Sequence, residues 1–383
     1  MFLVNAILLS WKNLFFILIG LMGIGFLIAL HEFGHFLFCK LFKIRTPSFS
    51  IGFGPRLFTK KIGGTEFALS AIPLGGYVEI AGAVEVGQGE QKEAYRMDEY
   101  SFARKPYWQK FFVMMGGILF NLLFAYLAMI LVSMSGLPSS PLAYPQNAQP
   151  IISAIAQDSA AEKANLEEGD TITAVNNTPI EGNVGTLTDL LAPHANQMVT
   201  LTIERDGKER TVEITLDEKQ KLGKTVGALG VGFKFTATPG LPVLEAIKQG
   251  IAMTNARLIE IFQVVKQMFS KRDTRNIAGP LMIISLTMQG AAQGVKVLLI
   301  LLAIISINLA ALNLLPLPIL DGGQLLFYTI EAIIGKPLPH KIREYIHIAT
   351  WLMMLALFLY LSAQDLVRIT SPYLEKIWAL LGY

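Results

Sequence analysis

Cysteine is almost missing from this chain. Cys39 is the only one, so no internal disulfide can form, and cysteine usage says little about the redox compartment. Charge is scarce as well. Asp, Glu, Lys and Arg together make 16% of the 383 residues, against 52% hydrophobic, and the mean hydropathy is +0.48. A chain so poor in charge is no ordinary soluble protein; it is expected to cross a membrane several times. The net charge of +3 is small and dispersed, which gives no reason to expect a nucleic-acid partner. The N-terminal apolar run is too long for a signal peptide and no small-residue cleavage site closes it, so it is expected to remain as an uncleaved first span. No long-period repeat is visible.

Four stretches reach the roughly 20 apolar residues that a ~30 Å hydrocarbon core requires. They run from about Asn13 to Cys39, from Phe111 to Met134, from near Val297 to a proline break at Pro316, and from about Ile346 to Leu366. Basic residues gather in two of the connections. Lys40, Lys43, Arg45, Arg56, Lys60 and Lys61 follow the first span, Arg104, Lys105 and Lys110 precede the second, and Lys336, Lys341 and Arg343 lie between the third and fourth. The positive-inside rule puts both connections in the cytosol, and hence both termini and the segment 136–295 outside. That segment has its own Lys and Arg, but long translocated domains are largely exempt from the count.

After the first span, "SFSIGFGPRLFTKKIGGTEFALSAIPLGGYVEI" reads as short strands punctuated by glycine and proline turns. It is expected to form a small β-hairpin or sheet at the membrane face, covered by protein or a water-filled cavity. The polar stretch from Ala83 to Tyr100 is expected to be an exposed cytosolic loop. From about Gln149 to Leu216 the composition becomes that of a soluble domain. "PIISAIA" and "DTITAVN" read as strands, "VGTLTDLLAPH" as a short helix, and "MVTLTIERDGKERTVEITL" as a hairpin turning at Asp206-Gly207. From Pro242 to Phe269, Leu244, Ile247, Ile251, Leu258, Ile261, Phe262, Val265 and Phe269 recur at helical spacing over a polar opposite face. This predicts an amphipathic helix, or two, that could lie on the outer leaflet.

The chemistry concentrates in "FLIALHEFGHFLFCK" of the first span. His31 and His35, spaced i, i+4, share one helix face and can bind one metal ion. Glu32 is turned about 100° from His31 and can serve as general base without being a ligand. This is the H-E-x-x-H arrangement of zinc proteases. Stray histidines do occur in helices, but a central charge in hydrocarbon costs about 3 kcal/mol or more. Three ionisable groups in five residues therefore argue for a site facing the protein interior. A catalytic zinc usually takes a third protein ligand. His194 belongs to the soluble domain, and His340 and His347 read as interfacial residues flanking the fourth span. Asp321 in "NLLPLPILDGGQLLF" follows a helix that Pro316 and Pro318 must break. It could turn towards a metal, or it could be an ordinary turn or helix N-cap residue; spacing leaves both readings open. On a helix His31 lies ~13 Å inside the cytosolic edge marked by Lys40, and Asp321 approaches the same edge.

Taken together, "HEFGH" and "NLLPLPILDGG" resemble the site-2 proteases, intramembrane zinc metalloproteases. The bacterial RseP-like branch is the closer match. It is also resembled by "SIGFGPRLF", "TEFALSAIPLGGYVEI", "RKPYWQKFFVMMGGILFNLLFAYLA", "IAGPLMI" and the PDZ-like "QDSAAEKANLEEGDTITAVNNTPI". The resemblance covers nearly the whole chain in order. It implies a multi-pass α-helical membrane protein with four transmembrane helices, a membrane-associated β-hairpin or sheet element and one extracytoplasmic PDZ domain, over about 148–217. It implies Zn2+ held by His31, His35 and Asp321, with Glu32 as catalytic base, and Asn308, Asn313 and Pro316 as substrate-binding positions. Asn308 and Asn313 could alternatively bond a neighbouring helix. It implies transmembrane-helix protein substrates trimmed beforehand, such as anti-sigma factors or signal-peptide remnants, in the lipid bilayer of a bacterial inner membrane, with peptide C-termini at the PDZ domain.

Three departures bear on gating and PDZ ligand preference. One PDZ-like domain stands where many relatives carry two. "MMGGILFN" lacks the common Gly-Pro pair, and "ANLEEGD" replaces the usual "AGLxxGD". Two other function classes remain open: a catalytically idle PDZ membrane adaptor and a metal transporter. Intact His31, Glu32, His35 and Asp321 speak against the first. Only one broken span, rather than a matched pair, speaks against the second.

Overall fold

The computed structural model describes residues 11–83, 93–94, 96–180, 182, 184–221, 224–271 and 278–380. In chain order the elements are α1 (Trp11–Leu41), β1 (Ser48–Ile62), β2 (Thr65–Val78), α2 (Tyr107–Ser135), β3 (Ala148–Ile155), α3 (Ala160–Lys163), β4 (Thr171–Val175), β5 (Thr178–Pro179), α4 (Val184–Leu191), β6 (Met198–Arg205), β7 (Lys208–Thr215), β8 (Asp217–Lys221), β9 (Lys224–Ala228), β10 (Val231–Phe235), α5 (Val243–Lys271), α6 (Pro280–Gln293), α7 (Val295–Asn313), α8 (Asp321–Ile334) and α9 (His340–Leu380). Four helical segments are long and apolar enough to cross a membrane: Asn13–Leu41, Tyr107–Ser135, Val295–Asn313 and Lys341–Thr370. They fall on the four stretches expected from hydropathy. The chain divides into two compact units, one of residues 1–128 and 274–383, the other of residues 129–273.

In the first unit α1 runs beside α6, α7 and β2. Where α1 and α2 cross, glycines meet backbone to backbone. A Cβ on Gly34 would lie 2.2 Å from the Gly116 carbonyl oxygen, so only small residues permit this approach, as is usual for helices packed in lipid. The expected membrane-face element is more than a hairpin. Phe49 and Lys60 of β1 both pair with Phe67 of β2, and Phe49 also pairs with Val78. The two strands therefore fold into four ribbons in the order 76–78, 48–51, 66–69, 58–62. The base of this sheet packs Phe49, Val78 and Ile80 on Cys39, Ile44, Phe102 and Val113 at one end of α1 and α2. Of the stretch from Ala83 to Tyr100, residues 84–92 and 95 lie outside the described residues. Arg96, Met97, Glu99 and Tyr100 are exposed, as expected of a loop. Ala94 is buried, and Arg45 ties Glu93 and Asp98 down.

The fourth of these membrane-length helices is fastened by charge. Asp365, fully buried, accepts hydrogen bonds from the backbone N–H groups of Gly279 (3.0 Å) and Met282 (2.9 Å) at the start of α6. A carboxylate there satisfies otherwise orphaned donors and suits the positive end of the helix dipole. Helix α6 packs against α1, α7 and α9. Its sequence, "PLMIISLTMQGAAQ", is apolar on more than one side, which suits a packed helix better than a surface one.

In the second unit one sheet follows the order β10-β3-β4-β6-β7, with β5 on β4. Strands β3, β4, β6 and β7 and helix α4 fall where the pattern of alternation puts them. Asp206 and Gly207 both have positive φ, 54° and 72°, as a tight two-residue hairpin turn demands. Ile152, Ile172, Leu187, Leu201 and Ile203 make a core with almost no exposure, each worth about 1.5–3 kcal/mol of burial. The sheet continues beyond residue 217. β10 adds to β3 on the far side of the polar hairpin β8–β9, whose "DEKQKLGK" reads as a linker in sequence. The stretch expected to hold one or two helices forms a single helix, α5, Val243–Lys271.

A buried ion pair locks the start of β4 to the end of β6. Arg205 donates to both oxygens of Asp170, at 2.6 and 2.7 Å, and the Glu167 N–H adds a third bond at 2.9 Å. Burial pushes the Asp170 carboxyl up, but the bonds from Arg205 and Glu167 outweigh it and hold the group below the usual carboxylate value. A depressed folded-state value stabilises above the unfolded value and ceases to do so as pH falls through the folded one. Arg205→Ala is therefore expected to loosen residues 148–235 at pH 7, because it strands a buried carboxylate. The difference from wild type should narrow at acid pH, as the carboxyl protonates in both proteins. Hydrogen-exchange protection of that segment in the full-length chain, read at both pH values, checks this.

Candidate metal centre

The uniform apolarity that makes α1 a membrane-length helix leaves His31, Glu32 and His35 as its only ionisable residues between Lys12 and Lys40 apart from Cys39. The helical repeat brings the two imidazoles together edge to face, with ring centroids 4.8 Å apart, planes 83° apart and Nε2 atoms 3.1 Å apart. Asp321 opens α8, directly after the non-helical residues 314–320. It brings Oδ2 to 3.2 Å from His31 Nε2 and Oδ1 to 3.5 Å from His35 Nε2. Among the described residues these three form the one group of His, Cys, Asp or Glu side chains able to hold a metal, their ligand atoms lying within 4.8 Å of one another.

The donor set fits a tetrahedral zinc. Ligands 2.0–2.1 Å from such an ion stand roughly 3.3 Å apart; the two Nε2 atoms are 3.1 Å apart and each has an Asp321 oxygen, Oδ2 for His31 and Oδ1 for His35, at 3.2 and 3.5 Å. Asp321 Oδ2 is buried and has no hydrogen-bond donor, a costly state for a carboxylate oxygen unless a cation meets it. The far nitrogens are held as well. His35 Nδ1 donates to the Val113 carbonyl at 2.7 Å, which leaves the Nε2 lone pair free for a metal. His31 Nδ1 lies 3.2 Å from the Asn121 carboxamide, whose Oδ1 has no other partner. With the amide turned so that Oδ1 accepts the Nδ1 proton, both groups are satisfied and His31 Nε2 is also free for a metal. The hydroxyl of Ser306 on α7 donates to the Asn121 backbone carbonyl at 2.9 Å and ties α7 to α2 at this level.

Glu32 points into the same cavity, of about 290 Å³, which Asn121, Asn313, Asp321, Gln324 and His347 also line. Its Oε2 accepts the backbone N–H of Val78 at 3.1 Å, so the end of β2 fixes its direction. Of the three positions that the sequence resemblance implies for substrate, Asn313 lines the cavity; Asn308 and Pro316 do not. His347, expected at the interface, is instead buried in the wall, stacked on Phe327. His194 is bonded to Gln197 within the second unit. Asn121, fully buried here, is an amide in an apolar span, the same sequence signal that Asn308 and Asn313 give. Gly117 gives no such signal, and only tertiary structure shows its part. A Cβ there would stand 2.4 Å from His31 Cε1, so the ring has room only over glycine. Gly117→Ala is expected to displace the imidazole and weaken zinc retention about 10–100-fold, measured by competition with a chelator in the purified protein.

Comparison with known proteins points the same way. The description of peptidase family M50 matches residues 19–357. A provisionally named zinc metalloprotease of Campylobacter jejuni is 31% identical over 356 residues, covering 90% of this chain and 92% of that protein. Zinc metalloprotease RasP of Geobacillus kaustophilus is 28% identical over 415 residues, covering 90% and 96%. A solved PDZ domain of an SdrC-like protein from Listeria monocytogenes matches 22% of this chain and 84% of its own at 18% identity. Its TM-score is 0.19, too low to carry a fold argument. A family match over most of the length, together with relatives that share nearly all of it, shows that the chain belongs to peptidase family M50, the site-2 proteases, and is a membrane-embedded zinc metalloendopeptidase.

Proposed function

We propose that His31, His35 and Asp321 are the zinc ligands, that Glu32 is the catalytic base, and that the substrates are transmembrane segments of membrane proteins already trimmed outside the membrane. The observation that carries this is the meeting of two histidines from α1 with a carboxylate 286 residues beyond His35, at separations suited to one tetrahedral ion. When bound there, zinc supplies a Lewis acid that activates water and polarises a carbonyl. The chain's own residues do the rest. Glu32, aimed into the cavity by the Val78 N–H, takes the proton of the attacking water and delivers it to the amide nitrogen as the C–N bond breaks. His35 and His31 keep their protons on Nδ1, towards Val113 and Asn121.

A transmembrane helix hides its peptide bonds, so the substrate must be extended locally. The 76–78 ribbon supports strand addition. Glu79 N–H bonds inward to Ser48, while Val78 N–H points outward to Glu32, so by strand alternation Gly76 also presents its backbone towards the metal side. Asn313 is placed to bond an extended backbone in the cavity.

The enzyme sits in a bacterial inner membrane with the two basic connections in the cytosol, and both termini and the second unit outside. The distribution of Lys and Arg supports this. Residues 148–235 act as a PDZ domain that binds freshly cut peptide C-termini or excludes untrimmed ectodomains; the match of "QDSAAEKANLEEGDTITAVNNTPI" to that family's pattern supports it. The test is zinc content and cleavage of a reporter transmembrane segment in one preparation. Chelation is expected to remove both, and added zinc to restore both. Full cleavage by zinc-free protein would overturn the proposal.

A further inference from the structure

The third metal ligand is delivered by a loop, and that loop is held by a side-chain chain the chemistry above does not use. After α7 ends at Asn313, residues 314–320 run past Pro316 and Pro318 to Asp321. They lie hard against the first turn of α8: a Cβ on Gly323 would stand 2.1 Å from the Leu317 carbonyl oxygen. One turn into α8, the carboxamide of Gln324 donates to the Pro318 carbonyl at 2.8 Å. The same Nε2 lies 3.2 Å from Nε2 of His347 on the fourth span. An amide nitrogen has two protons, so one can serve each partner, and His347 Nε2 is then the acceptor. The His347 ring is stacked on Phe327, centroids 5.9 Å apart and planes 15° apart. That contact leaves little freedom to turn away.

Gln324 and His347 also form part of the wall between two cavities. Both line the metal cavity, and both line a second cavity of about 990 Å³ that lies between α8, α9 and the residues before α2.

We propose that Gln324 and His347 are positioning residues for the metal centre, the hydrogen-bond chain from Pro318 through Gln324 to His347 fixing the loop that presents Asp321. This rests on the reading of Asp321 as a zinc ligand. Its consequence is that the fourth span, which contributes no ligand, sets how firmly the third ligand is held. His347 needs only to accept a hydrogen bond, so a side chain with an acceptor at that reach should replace it.

The experiment uses the full-length enzyme, with zinc release to excess chelator as one readout and kcat and KM for a reporter segment as the other. His347→Ala and Gln324→Ala are each expected to speed zinc release about tenfold and to lower kcat with KM unchanged. Combining the two should add little, since both break one chain. His347→Gln, whose Oε1 can accept from Gln324, is expected to restore the wild-type release rate. Wild-type release in both alanine variants would overturn the proposal. So would equal acceleration in His347→Ala and His347→Gln, because packing rather than the hydrogen bond would then be the cause. Asp321→Ala, run alongside, separates the two levels. If it keeps zinc, the ligand assignment fails; if it loses zinc while the His347 variants behave as wild type, only the positioning role fails.

Discussion

Glu32→Gln is expected to keep its zinc and lose cleavage by about 10²–10⁴-fold, the usual contribution of a positioned acid–base group. The substitution is close to isosteric. Glutamine retains an oxygen that can accept the Val78 N–H now bonded to Glu32 at 3.1 Å, so the cavity should keep its shape. None of the three metal-clustered residues is touched. What disappears is the ability to take up a proton. Equilibrium zinc content and single-turnover cleavage, measured on one sample, give the required contrast: full metal, little product. An enzyme that keeps more than a tenth of its rate would have its base elsewhere. The outcome also separates the protease from the two other classes that the sequence leaves open. An idle adaptor would be indifferent to this change, and a transporter would respond in metal flux.

The span that carries this chemistry was legible because lipid leaves so little room for chance. A histidine pair one helical turn apart in a run of leucine and phenylalanine is conspicuous by cost alone, and the helical repeat gives its geometry. Asp321 was not legible to the same degree. Its place beside His31 depends on the two prolines that end α7 and on how closely residues 314–318 can lie over Gly322 and Gly323. Those are tertiary facts, and sequence offered a helix-start aspartate as an equal reading. In one respect both readings hold, since Asp321 does open α8. His347 shows the converse. Its position near the end of a span suggested the interface, and only the packing of α9 on α8 turns it inward. The curled sheet was half visible. Glycine and proline punctuation announced short strands, but nothing local shows that residues 66–69 would be paired on both sides. Similarly, β10 was hidden behind a polar hairpin that looks like the end of a domain.

Asp321→Ala is expected to lose both zinc and cleavage, and the reason distinguishes a ligand from a helix-start residue. A carboxylate in the first turn of a helix interacts with the helix dipole for about 0.3–1 kcal/mol. If that were the whole role of Asp321, its removal would slightly lower the unfolding midpoint and leave metal binding alone. A ligand behaves differently. His31 and His35 would remain, but both come from α1, and two nitrogens on one helix face leave half of a tetrahedral site to solvent. Oδ2 is buried 3.2 Å from His31 Nε2, where a cation bound by both residues would sit. Added zinc should therefore raise the unfolding midpoint of wild type by mass action and leave Asp321→Ala unmoved. Stoichiometric zinc in Asp321→Ala at wild-type affinity would reduce the carboxylate to a helix-start charge, and the third ligand would then have to come from another side chain in the wall of the same cavity.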